Sequence, residues 1–369
     1  MEIIPEGKHF RLVQDNELPE ILKYLERYLP EALKFHQTIK TYLNDGVWQF
    51  YFYVSKNWPE DPICLHFPGC TLTPKNNIYG SFGIFCPSER IECVDLLETE
   101  DILINWREPM YLNFTHIAIM NRLDAFYGRK FGIMERLAGD IYISKGPIDE
   151  VELESLPSEE VEMRELTIDN VNTIHDLYPA NEIECVEAFE KLVKTLPGFG
   201  IFTKGNDELA AWMMHSYYGA MFSMQTRPEY RRKGYGIHLA QALTIRVKSR
   251  GYTPFVVIRP ENDASRNLYT KLGFVRAFAT VRVTLSPTKI QMKANGDVIA
   301  DNDNIPYENN ENGHGAPNGN DNHHNNDDDD DAQQDEGIED MRNETVDNVS
   351  VLSNDDRDEG IDEEDGRDD

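Results

Sequence analysis

The chain has 369 residues and a formal charge of −30 at neutral pH, with 40% apolar and 28% charged residues. The charge is not spread evenly: from Gln291 to Asp369 there are 27 acidic against 4 basic residues, so the rest is only mildly acidic. That balance argues against nucleic acid or an anionic membrane as a partner, since both need clustered Lys and Arg. It leaves room for a local basic site around a phosphate.

The N-terminal residues lack the basic start and apolar run of a secretory signal, and no stretch approaches the roughly 18 apolar residues of a membrane span. Five cysteines, without a C-x-x-C, argue against a disulfide framework or a zinc site. The expectation is an intracellular protein, cytoplasmic or mitochondrial, not secreted and without a metal.

In chain order, a short extended stretch at 10–13 precedes a helix whose apolar residues Leu18, Ile21, Leu22, Leu25 and Leu29 share one face. The aromatic, β-branched run 47–54 predicts a strand, as do 63–67, 79–85, 111–117 and 140–144. Helices are predicted near 92–106 and 120–127. An acidic, proline-containing stretch at 147–160 reads as a linker. It separates an N-terminal domain, 1–146, from a second domain, 161–290, each of ordinary size.

The second domain opens with a strand at 163–166 and helices near 168–177 and 182–196. Strands at 200–203, 209–216 and 220–226 follow, with a turn at Gly205-Asn206-Asp207. A helix over 234–250 is stopped by Gly251. Then come an apolar strand at 255–258, a helix over 263–272 capped by Asn262 or Asp263, and a last strand at 274–285. The class is α/β with a mixed sheet. The segment 291–369, with five consecutive aspartates from Asp327, has too few apolar residues to offset chain entropy and is expected to be a disordered acidic tail.

Chemistry concentrates between Met221 and Leu243. A strand runs into Arg231, Arg232, Lys233, Gly234, Tyr235 and Gly236, and then into a helix. The glycines permit close backbone approach. The helix start offers unpaired N–H groups and partial positive charge, and the three bases attract phosphate. The pattern is a pyrophosphate cradle, but neither a P-loop nor the full three-glycine dinucleotide fingerprint. In the second segment, Asn262 to Phe274, Asn262 and Ser265 stand at a strand-to-helix turn. Tyr269 lies one helical turn beyond Ser265.

Together, R-x-x-G-x-G at Arg231–Gly236 and N-x-x-S-x-x-L-Y-x-K-L-G-F from Asn262 resemble the GNAT superfamily of acyl-CoA-dependent N-acyltransferases. The resemblance implies that the loop holds the CoA diphosphate. It also implies that the strand backbone at Met224, Gln225 and Thr226 pairs with the pantetheine arm. Asn262 would contact that arm, and Tyr269 would protonate the leaving thiolate.

Glu208 to Trp212, Thr226 to Arg231, Asn57-Trp58-Pro59 and Leu103 to Trp106 look like the glycine N-acyltransferase-like family. That narrower resemblance implies a tandem GNAT fold with a degenerate N-terminal domain, and Glu229 as general base; His215, on the neighbouring strand, is a rival base. Tyr217 and Tyr218 would cover the core or the acyl pocket.

The expected reaction is acyl transfer from acyl-CoA, a co-substrate, to the amine of a small acceptor such as glycine or another amino acid. Acetylation of a protein or peptide amine is the alternative acceptor class. A non-catalytic CoA-binding regulator, whose acidic tail holds a basic partner, is the alternative of another kind.

Overall fold

The computed structural model describes residues 4–67, 70–72, 78–146, 153, 155–179, 181, 184–288, 290–292 and 298–300. Half of the expected linker and most of the expected acidic tail lie outside them. Within the tail, Ile290–Met292 and Val298–Ala300 pair as two short antiparallel strands. They belong to a separate unit, Thr288–Val346.

The N-terminal half begins with β1 (Phe10–Leu12), α1 (Leu18–Leu25) and α2 (Leu33–Asp45). The alternation reading omits α2, although Leu33, Phe35 and Ile39 are buried. The helix ends at Gly46, whose φ of 56° suits a glycine C-cap. There follow β2 (Tyr51–Ser55), β3 (Cys64–Phe67), β4 (Cys70–Leu72), β5 (Ile78–Ser81) and β6 (Gly83–Phe85).

A run of 3-10 turns, Ser88–Thr99, replaces the helix expected over 92–106. It ends where Glu100 turns inward, fully buried. The Glu100 carboxylate accepts the backbone N–H groups of Lys8, His9, Ile102 and Leu103 at 2.8–3.2 Å. These are bonds a continuing helix would not make. β7 (Met110–His116), α3 (Ile117–Lys130) and β8 (Gly132–Ser144) complete the half.

The C-terminal half runs β9 (Val161–Glu165), α4 (Val171–Asp176), α5 (Val186–Thr195), β10 (Gly198–Thr203), β11 (Leu209–His215) and β12 (Met221–Thr226). It continues with α6 (Tyr235–Ser249), β13 (Phe255–Ile258), α7 (Asp263–Lys271) and β14 (Phe274–Pro287). The expected elements of this half are all present, with ends shifted by a few residues.

The two halves exchange strands. One sheet has the order β13-β8-β14-β7-β5-β4. β8, the last strand of the first half, stands between β13 and β14 of the second. β14, the last strand of the second half, stands between β8 and β7 of the first. Val281, Val283 and Leu285 of β14 are buried in the core around Leu112, Leu123 and Phe126. Tyr142 of β8 is buried in the core around Leu239 and Leu243. Each fully buried apolar side chain of this size contributes about 1.5–3 kcal/mol. The described residues up to Pro287 lie in one compact unit.

The N-terminal half repeats the plan of its partner: a four-stranded sheet, β1-β2-β3-β6, and then β7. The space between β6 and β7 is filled by side chains. Lys34, Phe35, His66 and Phe114 leave a cavity of about 20 Å³ there, and a side chain at Gly83 would collide with the His66 ring. Burial holds the His66 imidazole at about 3, with Lys34 adding to the effect. Where the other half has its Arg- and Gly-rich loop, this half has Cys86-Pro87-Ser88-Glu89-Arg90. It is the degenerate copy of a tandem α/β fold.

Candidate functional site

In the C-terminal half, β12 is bonded to β11 on one side and leaves β13 on the other. The two strands share one parallel bridge, Ala220 with Phe255. Beyond it they belong to different sheets, and a cleft opens between them. Arg227 N–H donates to Ala210 C=O. By strand alternation, the N–H groups of Thr226 and Met224 project away from β11, toward that cleft.

A bulge alters the phase of β12. Trp212 pairs with Gln225 and Met214 with Phe222, so Met213 faces both Ser223 and Met224. Ser223 takes a φ of 53°. Regular alternation would put Phe222 and Met224 on one face. The extra residue separates them: Phe222 packs toward Phe189 of α5, and Met224 toward the α6 side. Bulges of this kind re-aim side chains beside active sites.

β12 ends in a 3-10 turn, Pro228–Tyr230, followed by the basic loop. Glu208 braces the turn, accepting from Arg227 at 2.6 Å and Tyr230 at 2.8 Å. Arg231 Nε donates to the Thr226 carbonyl at 3.4 Å. Arg232 (φ 64°) and Gly234 (φ 72°) both occupy the left-handed region, turning the chain into α6. Arg232, Lys233 and Gly234 are exposed. No side chain caps α6, so its first N–H groups are open to an anion. Tyr235 is buried in the core, so it can offer a ligand its backbone amide but not its ring. Gly236 stands opposite Met224 Sδ and Leu268. Among the described residues Ser223 Oγ, Gln225 Oε1 and Tyr235 OH are buried without hydrogen-bond partners.

α7 begins across the cleft. Asn262 Oδ1 accepts Ser265 N–H at 2.9 Å, so the side chain serves first as the helix cap. Ser265 is buried. Tyr269 is also buried, and its hydroxyl lies 3.8 Å from both Met213 Sδ and Met224 Sδ. Desolvation raises its pKa far above the ordinary tyrosine value, so it stays protonated.

The opposite face of β12 is met by Leu177 and Tyr178, which follow α4. Gln225 Nε2 donates to Leu177 C=O at 2.7 Å, and Tyr178 meets Phe222 edge-on with ring centroids 6.2 Å apart. His215, the rival base, is fully buried. Its Nε2–H donates to Gly219 C=O at 3.0 Å, and burial holds it at about 4, so it braces a turn. Glu229 is exposed on the 3-10 turn. Burial raises the Glu184 carboxyl to about 7, with Arg282 acting against it, and no signal in the sequence marks either residue. Arg282 alternates with Val281 and Val283 and reads as an ordinary outward strand residue.

Among the described residues no group of three His, Cys, Asp or Glu could hold a metal ion. No helix among them is long and apolar enough to cross a membrane.

Residues 198–283, spanning β10 to most of β14 and both motifs, match the family model described as FR47-like protein. No curated protein matches the chain significantly in sequence. Among solved structures, an X-ray structure of a Drosophila protein is 20% identical, with a TM-score of 0.65, covering 76% of this chain and 99% of that one. A tandem GNAT protein from the clavulanic acid biosynthesis pathway is 10% identical, with a TM-score of 0.46, covering 76% and 98%. A GNAT-family acetyltransferase from Colwellia psychrerythraea is 14% identical, with a TM-score of 0.40, covering 74% and 98%. The family-model match falls on the segment that carries the basic loop and both motifs.

Proposed function

We propose that the chain is an acyl-CoA-dependent N-acyltransferase acting on the amine of a small acceptor, with glycine or another amino acid as the acceptor class. One observation carries the reading: β12 and β13 diverge beside a basic loop that opens an uncapped helix, with Tyr269 facing the cleft from the far side. The site suits a long anionic thioester. The diphosphate fits Arg231, Arg232, Lys233 and the amides of Gly234, Tyr235 and Gly236. The pantetheine arm, which carries amide groups, fits the free backbone edge at Met224, Gln225 and Thr226, with Asn262 and Ser265 alongside.

In this reading the acceptor amine, freed of its extra proton, attacks the thioester carbonyl. Met224 N–H receives the oxyanion; a preorganised donor of this kind is worth about 10²–10³ in rate. The C–S bond breaks and the thiolate takes a proton from Tyr269. The phenol is suited to this step, because it is protonated and, among the described residues, its hydroxyl meets two weakly accepting thioethers. Glu229, at the end of β12, is the base that the family resemblance implies.

Thiol release from acetyl-, benzoyl- and longer acyl-CoA, tested against amino acids, simple amines and peptides, checks the reading and separates the acceptor classes. Turnover with amino acids supports it, and turnover with peptides alone moves the acceptor to a protein. Tight CoA binding without turnover favours a regulator, and neither binding nor turnover removes the CoA reading.

A further inference from the structure

We propose that the pocket between β1, α2 and β2 of the N-terminal half is a binding site for an organic ammonium ion with an apolar body, and that Asp15 holds the charged end. The site is independent of the acyltransferase reading, which concerns the other half.

The pocket forms where two paired strands part. Leu12 pairs with Tyr53, and Val13 N–H donates to Phe52 C=O at 2.8 Å. Beyond Val13 the chain turns away through a 3-10 turn, Asp15–Glu17, into α1. The cavity this leaves beside Phe50 and Tyr51 measures about 400 Å³. That falls within the size of small-molecule sites, roughly 300–1,000 Å³. Its walls are largely aromatic. Phe50 and Phe52, two positions apart, are buried in the same core. Tyr42 of α2 lies against both, with ring centroids 6.3 and 5.4 Å away, and keeps part of its surface open. Val13 closes the wall from the other strand.

Among the described residues one charged side chain lines this pocket, the Asp15 carboxylate. The Tyr42 hydroxyl donates to Asp15 Oδ1 at 3.0 Å, which ties the carboxylate to the aromatic wall. Arg11, the nearest base along the chain, is turned to Glu17 instead, at 2.9 Å, and does not line the pocket. The polar side chains at the rim, Gln14, Asn16 and Gln49, are exposed and uncharged. A single carboxylate beside an apolar wall is complementary to a guest with one positive end and an apolar body.

The two ends of such a guest gain in different ways. Its apolar body leaves water against Tyr42, Phe50 and Phe52. Aromatic walls suit it further, because their π faces attract a cation. Asp15 is exposed at the mouth, so the ammonium can pair with it without either charge being fully stripped of water. That avoids the large desolvation penalty of a buried ion pair. A neutral guest of the same shape gains only from its apolar body, and an anion meets repulsion from Asp15.

The test compares phenethylamine, phenethyl alcohol and hydrocinnamate, which share an apolar body and differ in charge, by isothermal titration and ligand-observed NMR on the full-length protein. The amine should bind saturably, the alcohol about tenfold more weakly, and hydrocinnamate not at all. Asp15→Asn keeps an oxygen for the Tyr42 hydroxyl, so its melting temperature should be unchanged, while its affinity for the amine should fall to that for the alcohol. Gln49→Trp, a filling substitution at the exposed rim, should abolish binding of both amine and alcohol. Failure of the amine to bind, equal binding of amine and alcohol, or undiminished amine binding in either variant would overturn the proposal. None of these outcomes bears on acyl transfer, since neither substituted residue belongs to β12, the basic loop or α7.

Discussion

The Tyr269 hydroxyl and the Met224 thioether approach to 3.8 Å across the cleft, one on α7 and the other just beyond the β12 bulge. A buried phenol usually finds a strong acceptor. This one faces two sulfur atoms, so its proton is not committed elsewhere. Tyr269→Phe should therefore lower kcat by about 10²-fold or more and leave CoA affinity and melting temperature almost unchanged. Steady-state kinetics beside a CoA titration would show this, and unaltered kcat would remove Tyr269 from the reaction.

Gly234 turns the chain into α6 at a φ of 72°, with open space where a Cβ would stand. Gly234→Ala thus meets no clash and carries only the cost of the left-handed backbone, about 1 kcal/mol. The expected result is a small fall in stability and a larger loss of CoA affinity, because relaxation of the loop would re-aim the amides of residues 234–236. Arg231→Ala should weaken CoA binding in a salt-sensitive way. Isothermal titration at two ionic strengths distinguishes these effects.

Glu100 gathers four backbone N–H groups inside the N-terminal half. Glu100→Ala would strand these donors, at about 1–3 kcal/mol for each left without a partner or water. A drop in melting temperature of several degrees is expected. The basic loop and β12 lie in the C-terminal half, so the CoA affinity of the protein that remains folded should not change.

His215 and His66 are held at about 4 and about 3 by burial, below the ordinary histidine value. The unfolded chain protonates each near 6.5, while the folded chain does so only far lower. Their contribution is full above about pH 6.5 and is lost as pH falls toward 4, by about 1.4 kcal/mol per pH unit for each histidine. Glu184, whose raised value favours the folded state between its unfolded value and about 7 as pH falls, offsets one of them. Urea midpoints from pH 7.5 to 4.5 should fall, and His215→Gln should flatten the slope. A level profile in the unchanged protein would contradict this.

The C-terminal half was readable because its information is local. Gly234 and Gly236 mark a turn, Asn262 marks a cap, and the apolar run at 255–258 marks a buried strand. The N-terminal half was harder. α2 carries lysines, a glutamine and threonines among its buried residues, and the segment before Glu100 is shaped by bonds to residues some ninety positions away. Strand exchange was not legible at all, because β8 and β14 carry ordinary alternation that does not name a partner. The acceptor face shares that problem. Tyr178 and Phe222 come from distant segments, and only the folded sheet brings their rings together.

The reciprocal insertion of β8 and β14 also bears on how the chain comes off the ribosome. When Ser144 emerges, β7 and β8 still lack the strand that will lie between them. That strand is not made until residues 274–287 follow, roughly ten seconds later at ordinary elongation rates. For that interval the first half has two unfilled sheet edges, the kind of surface that invites wrong pairing. It closes only when the strand bearing Arg282 arrives. A chain truncated before residue 274 therefore leaves β7 and β8 without the strand between them, and the exchanged sheet incomplete.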